Sequence, residues 1–195
     1  MIIKTFKGGY DSNFTSVVHD ATHAVILDPA VPASDVLKYI ETQKLNVLAV
    51  IILHSHFDHV IDLAVYRSKK IPLWAHQSIQ LPVDHKLKDN DTFSVGSLKF
   101  RVIHTPGHRY DCICLLVDHH LFTSDTLFIG SCGRVDFPGS DPQLMAETLE
   151  KLRQLPDDII IHPGHDYGKT PTSTLGEQKK SNPFLKMSKE EFWGE

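Results

Sequence analysis

Six consecutive residues, His54-Ser55-His56-Phe57-Asp58-His59, place three imidazoles and a carboxylate at the end of the apolar run Val47 to Leu53. Neutral imidazoles and a carboxylate that converge without a cation are costly to desolvate. A bound zinc or iron ion makes the same grouping favourable and leaves room for a reactive water. Three later segments share one design, an apolar run followed by a turn that carries a potential ligand: Val102 to His108, Leu121 to Asp125, and Ile159 to His165. Pro-Gly before His108 and again before His165 makes tight turns that aim an imidazole with little backbone freedom. The chain holds 13 His, so one His after a turn means little by itself. Its recurrence beside the central cluster is what points to metal chemistry.

The elements that must position these residues are short. Ile2 to Phe6, Phe14 to His19 and His23 to Leu27 read as strands separated by turn residues such as Gly8-Gly9, and Asp28-Pro29 ends the third. Val36, Leu37 and Ile40 after Ser34-Asp35 have the spacing of an amphipathic helix through about Gln43. Val47 to Leu53 is a continuous apolar run, the pattern of a strand buried on both faces that emerges at the His cluster. A short helix is expected over Asp62 to Arg67, with strands over Leu73 to Ala75, Leu98 to Ile103, Cys112 to Val117, Leu121 to Thr123 and Ile159 to Ile161. Asp118-His119-His120 reads as a solvated turn. Asp141-Pro142 opens the clearest helix, Asp capping free amides and Pro fitting the first helical position, with Leu144, Thr148, Leu149, Leu152 and Leu155 as its buried face. A polar tail follows, in which Ser188 to Glu191 suits a capping box for a last short helix. Strands and helices, then strands and helices again, are more economical as two sheets with helices outside than as one doubly wound sheet.

At 195 residues with 41% hydrophobic and 23% charged, the chain suits one compact α/β domain over 1–195. Its net charge of −4 gives no electrostatic footprint for nucleic acid. No apolar stretch approaches the ~20 residues of a membrane span, and Met1-Ile2-Ile3-Lys4 runs straight into a strand without the pattern of a signal peptide. Cys112, Cys114 and Cys132 do not form a disulfide framework, which suits the reducing cytoplasm. Cys112 and Cys114 could converge as thiolates from one face of a strand, but their apolar neighbours favour a core role.

On these motifs the chain resembles the metallo-β-lactamase-fold superfamily over nearly its whole length. The resemblance implies an αββα sandwich of two mixed β-sheets flanked by helices, with the site at one edge. It further implies that His54, His56 and His108 hold a first metal, that Asp58, His59 and His165 hold a second, and that Asp125 bridges them. Asp28 matches the superfamily's early strand-end aspartate and would orient a ligand. Ser131 to Phe137, His165-Asp166-Tyr167-Gly168 and Asn182-Pro183-Phe184-Leu185 resemble glyoxalase II-like hydrolases and the related persulfide dioxygenases. By that resemblance Arg134 and Tyr167 bind substrate, Arg134 through a carboxylate; a salt bridge to Asp136 or Asp141 is the alternative for Arg134. Departures are present too. Asp62 and Ser124 stand where these families often carry Gly, Arg109-Tyr110-Asp111 is unusual after His108, and only thirty residues follow His165, so no C-terminal helical substrate domain is expected.

The function so implied is hydrolysis of a small thiol-derived thioester, as in hydroxyacylglutathione hydrolase. Two divalent ions, zinc with iron or manganese as alternatives, supply the hydroxide, and Asp58 orients it. A mononuclear iron persulfide dioxygenase, drawing on His54, His108 and Asp125, is the second expectation. The aromatic residues Phe184, Phe192 and Trp193 either pack a homodimer or cover the sheet.

Overall fold

A computed structural model describes residues 1–193, in which the apolar runs pair into two six-stranded sheets. The first is ordered β1 (Ile2–Gly8), β2 (Asn13–His19), β3 (His23–Leu27), β4 (Asn46–Ile52), β5 (Leu73–His76) and β6 (His85–Leu87). Its β1 to β3 pairs are antiparallel and its β3 to β6 pairs parallel. In the second sheet β7 (Thr92–Val95), β8 (Leu98–His104), β9 (Ile113–Val117) and β10 (His120–Ser124) run antiparallel. There β10 pairs in parallel with β11 (Ile160–Pro163), and β12 (Ser173–Thr174) closes the edge.

Alternation along each strand builds the layers. Val25 and Leu27 of β3 with Ala49 and Ile51 of β4 face inward against Phe100, Val102, Ile113, Leu115 and Val117 of the second sheet. Ala24, Ile26 and Val50 face outward onto Val36, Leu37 and Ile40 of α1 (Ala33–Gln43) and Tyr66 of α2 (Leu63–Ser68). On the opposite outside, Ile103, Cys114, Leu121 and Ile161 receive Met145, Leu149 and Leu152 of α3 (Pro142–Arg153). Cys112 and Cys114 are buried free thiols, so their core role holds. The architecture is the expected αββα sandwich of two mixed sheets, and β4 is apolar throughout its second half because both faces are covered.

Asp141 caps α3 as expected, accepting from the amides of Gln143 and Leu144 at 2.9 and 3.0 Å. Thr148, Leu149 and Leu152 are buried as expected, while Met145 takes the core position at the start of the helix and Leu144 is half-buried. The tail is more than polar. It forms α4 (Leu175–Ser181), α5 (Pro183–Lys186) and α6 (Lys189–Trp193), with Leu175 and Leu185 buried. The Ser188 and Glu191 capping box forms in both directions, at 2.8 and 3.2 Å. Phe184 and Phe192 lie edge to face at 6.0 Å against the α3 layer; the side chain of Trp193 lies outside the described residues. No helix among the described residues is long and apolar enough to cross a membrane.

Away from the metal-type cluster, His120 Nδ1 lies 2.9 Å from His162 Nε2, and Phe122 stacks on His162. Burial, with His120 beside it, pushes the His162 imidazole down to about 4. Between that value and the unfolded value near 6.5 the unfolded chain binds a proton that the folded one refuses, so stability falls as pH drops through this window and is unaffected above it. In chelator-treated protein, His162→Gln should reduce the stability lost between pH 7 and pH 5 by about 2 kcal/mol, measured by denaturant titration. An unchanged loss would remove His162 as its source.

Candidate metal centre

All the cluster residues sit just beyond strand ends on one rim of the sandwich. His54, His56, Asp58 and His59 follow β4, His108 follows β8, Asp125 follows β10 and His165 follows β11. A 3₁₀ turn, Phe57–His59, bends the chain so that Asp58 and His59 lie beside His165. His54, His56, His108 and Asp125 offer donor atoms within 4.8 Å of one another, and so do Asp58, His59 and His165. Asp125 lies between these groups. One of its oxygens is 3.6 Å from His108 Nε2, 3.3 Å from His165 Nε2 and 3.8 Å from His54 Nε2, and the other is 3.3 Å from His59 Nε2.

Four of the rings are held from behind through Nδ1. His108 donates to the Arg134 carbonyl at 2.9 Å, His165 to the Asp11 carbonyl at 2.8 Å and His59 to Asp28 Oδ2 at 3.1 Å. His54 donates to Ser124 Oγ at 3.1 Å, whose hydroxyl donates onward to Asp28. In its neutral form each of these rings would turn an Nε2 lone pair inward. His59 and His165 bring these lone pairs to 3.0 Å, and His56 Nδ1 stands 2.9 Å from His108 Nε2. The buried atoms His54 Nε2 and Asp125 Oδ1 have no hydrogen-bond partner at all. Facing acceptors and orphaned buried donors to a metal are what a cation satisfies, so the residues fit a bound metal.

The electrostatics agree. Burial holds the His54 imidazole well below the ordinary range, with the neighbouring His59 adding to the effect; burial and His108 push His56 down to about 4. Burial alone would do the same to His59, but Asp125 and Asp28 overcome it and drive that ring well above the ordinary value. Asp125, against its burial, is held well below the usual carboxylate range by His59 and His54. Asp125 and Asp28 thus draw positive charge to the centre of the cluster, carried by the proton on His59, while His54 and His56 stay neutral.

Asp28 contacts the cluster directly: its carboxylate receives the Leu53 amide at 2.7 Å as well as His59 and Ser124. Ser124 and Asp62, which replace glycines common in similar families, both have left-handed backbones, φ 46° and 56°. The strain that a side chain brings there is offset by hydrogen bonds, Ser124 through Asp28 and His54, and Asp62 by accepting the first amide of α1, from Ala33, at 3.0 Å.

Asn13 is the residue the motifs did not reveal. Fully buried at the start of β2, it donates through Nδ2 to Asp58 Oδ2 at 2.9 Å, and the same nitrogen is 3.2 Å from His59 Nε2. Its backbone bridges to His165. Asp11-Ser12-Asn13 reads as turn sequence, and nothing in a single Asn announces burial. Gly164 matters for a different reason: a Cβ there would lie 2.3 Å from Asp125 Oδ1 and 2.9 Å from His59 Cε1. Gly164→Ala should therefore weaken metal retention at least about tenfold, read by chelator competition; wild-type retention would show that the rim can yield.

A cleft of about 400 Å³ opens over Asp58, His108, Asp125 and His165. Tyr10, Phe57, Phe128, Phe137 and Tyr167 form its walls, with Arg134 at the edge. Tyr167 stacks on the His165 ring at 4.6 Å and donates to Asp11 at 2.6 Å. Arg134 lines the cleft, and its guanidinium is engaged by both oxygens of Asp136 at 2.9 and 2.8 Å.

Among known proteins, a hydroxyacylglutathione hydrolase of Nitrosomonas eutropha (strain DSM 101675 / C91 / Nm57) is 35% identical over 169 residues, 85% of this chain and 64% of that protein. The probable polyketide biosynthesis zinc-dependent hydrolase PksB of Bacillus subtilis (strain 168) is 27% identical over 98% of this chain and 89% of its own length. The crystal structure of ETHE1 from Myxococcus xanthus superposes with a TM-score of 0.92 at 28% identity, covering 98% of this chain and 88% of that one. The chain spans less than two thirds of the length of the curated hydroxyacylglutathione hydrolases it matches first, 63% and 64%. The model of the metallo-beta-lactamase superfamily matches residues 8–165, which include every residue of the cluster, and the chain belongs to that superfamily.

Proposed function

We propose that this protein is a metal-dependent hydrolase of small thioesters. The observation that carries this reading is Asp125 standing between two groups of inward-facing donors, the arrangement suited to a pair of ions that share one carboxylate. His54, His56 and His108 would hold one ion, Asp58, His59 and His165 the other, with Asp125 between them; the imidazole and carboxylate set suits zinc, and also iron or manganese. Such ions supply hydroxide near neutral pH by lowering the pKa of bound water to about 7.

The chain's own residues do the rest. Asn13 fixes the Asp58 carboxylate, which faces the cleft and accepts the proton of the attacking water. The Asp28 and Ser124 chain holds His54 and His59 in one tautomer. The walls limit solvent around the bound acyl group, and Tyr167, anchored by Asp11, lies where it meets substrate. The buried free thiols suit a reducing compartment such as the cytoplasm.

A second reading is favoured by the nearness of His54, His108 and Asp125 and by the likeness to ETHE1: a mononuclear iron persulfide dioxygenase using those residues. One pair of assays separates them. Zinc-loaded protein should release thiol from S-lactoylglutathione or a simple acyl thioester of N-acetylcysteamine, and chelator-treated protein should not. Absence of thiol release together with oxygen uptake by iron-loaded protein on glutathione persulfide would replace the hydrolase with the dioxygenase.

A further inference from the structure

Among the described residues few large hydrophobic side chains are exposed, and three of them, Tyr10 (73%), Phe57 (69%) and Tyr167 (48%), line the cleft over the cluster. Exposed aromatic surface is costly unless something covers it, and here it is gathered at one mouth. Tyr10 and Phe57 come from separate segments and meet edge to face at 5.1 Å. Phe137 presses edge-on against the rings of His56 and His108, at 5.3 and 5.2 Å, so the apolar wall reaches down to the cluster itself.

Lysine and arginine are scarce by comparison. Arg134 is the one such residue among those lining the cleft, and Asp136 already engages it through both carboxylate oxygens. Lys7, near the rim, is bound to Asp166 at 2.6 Å. The carboxylates of a glutathione conjugate would find no unpaired lysine or arginine among the residues lining the cleft, whereas an aromatic ring would find the edges and faces of the aromatic walls.

We infer that the preferred substrates are thioesters whose acyl group carries an aromatic ring, selected by Tyr10, Phe57 and Phe137, rather than thioesters of glutathione. This inference rests on the thioester hydrolase reading above and adds its substrate class. The ring occupies the wall formed by these residues, with the thioester carbonyl lowered toward Asp58 and Asp125.

Two measurements on the zinc-loaded protein test it. By calorimetry, the non-hydrolysable phenacyl thioether of N-acetylcysteamine should bind about tenfold more tightly than its ring-free acetonyl analogue. That ratio should fall to within about threefold in both Tyr10→Ala and Phe137→Ala, each retaining wild-type metal content. In turnover, the phenylacetyl thioester of N-acetylcysteamine should exceed S-lactoylglutathione in kcat/KM by about tenfold or more. Faster hydrolysis of S-lactoylglutathione, or equal binding of the two thioethers, overturns the inference and leaves the hydrolase standing. No hydrolysis of either thioester, despite tighter binding of the phenacyl compound, overturns the hydrolase reading and the substrate class with it.

Discussion

Asp125→Asn should reduce the metal content of the purified protein from about two ions to one or fewer per chain and lower turnover at least about 10³-fold. The substitution keeps the volume, removes the charge and turns one acceptor oxygen into an amide donor. That charge is the group the other donors converge on: four imidazole Nε2 atoms lie within 3.8 Å of its oxygens, and one of those oxygens is buried without a hydrogen-bond partner. Elemental mass spectrometry alongside circular dichroism checks it. Wild-type metal content in a folded variant would mean that the two donor groups hold their ions independently and that Asp125 does not join them.

Asp58→Asn should behave differently, with kcat falling about 10²- to 10⁴-fold while KM stays within a few-fold and thermal stability changes little. Asp58 is held by the Asn13 amide, and its carboxylate faces the cleft at 3.5 Å from both His59 and His165 Nε2. An asparagine preserves shape there but cannot take a proton. Because Asp58 also stands among the donors of the second group, assays in excess zinc separate its two roles: recovery of the rate with added zinc would assign the defect to binding, and a persistent defect to proton transfer. Full activity of the variant without added metal would remove Asp58 from the chemistry.

The parts of this arrangement that were legible in the sequence are those marked by a strong local signal or by a local design that recurs. The apolar run into His54 marked β4 as a strand buried on both faces, and Asp141-Pro142 marked the start of α3. The repeated strand-then-turn design marked His108, Asp125 and His165 as potential ligands beside the His54 to His59 segment, the resemblance to the superfamily implied one edge for all of them, and the structure brings them together. Other features depend on partners far along the chain. Strands as short as β6 and β12 have too few residues to show alternation and exist through the edges they pair with. Asn182-Pro183 repeats the Asp-Pro cap of α3, yet α5 is four residues long and holds its place because Asn182 also donates to the Phe128 and Ser131 carbonyls. Asn13 needs the return of β11 beside β2, through the Phe14 amide on the Gly164 carbonyl at 2.7 Å, before it meets Asp58. For Arg134 both contacts were open from sequence, and the side chain engages Asp136 while lining the cleft.

The left-handed residues show how a local rule can be broken with compensation. Ser124 and Asp62 occupy backbone conformations that favour glycine, and each turns its side chain into a hydrogen bond that the site or a helix start requires. In Ser124 that bond reaches His54, so the departure from glycine tightens the orientation of a proposed ligand.

In the proposed centre two donor groups sharing Asp125 hold two ions in one site. Elemental mass spectrometry of protein purified without oxygen and without chelating resin tests it directly, on wild type and on His165→Ala. About two divalent ions per chain, falling to about one when His165 is removed, is the expected result. A single ion per chain whose retention is indifferent to the loss of His165 would contradict the paired site and leave His54, His108 and Asp125 holding one metal alone.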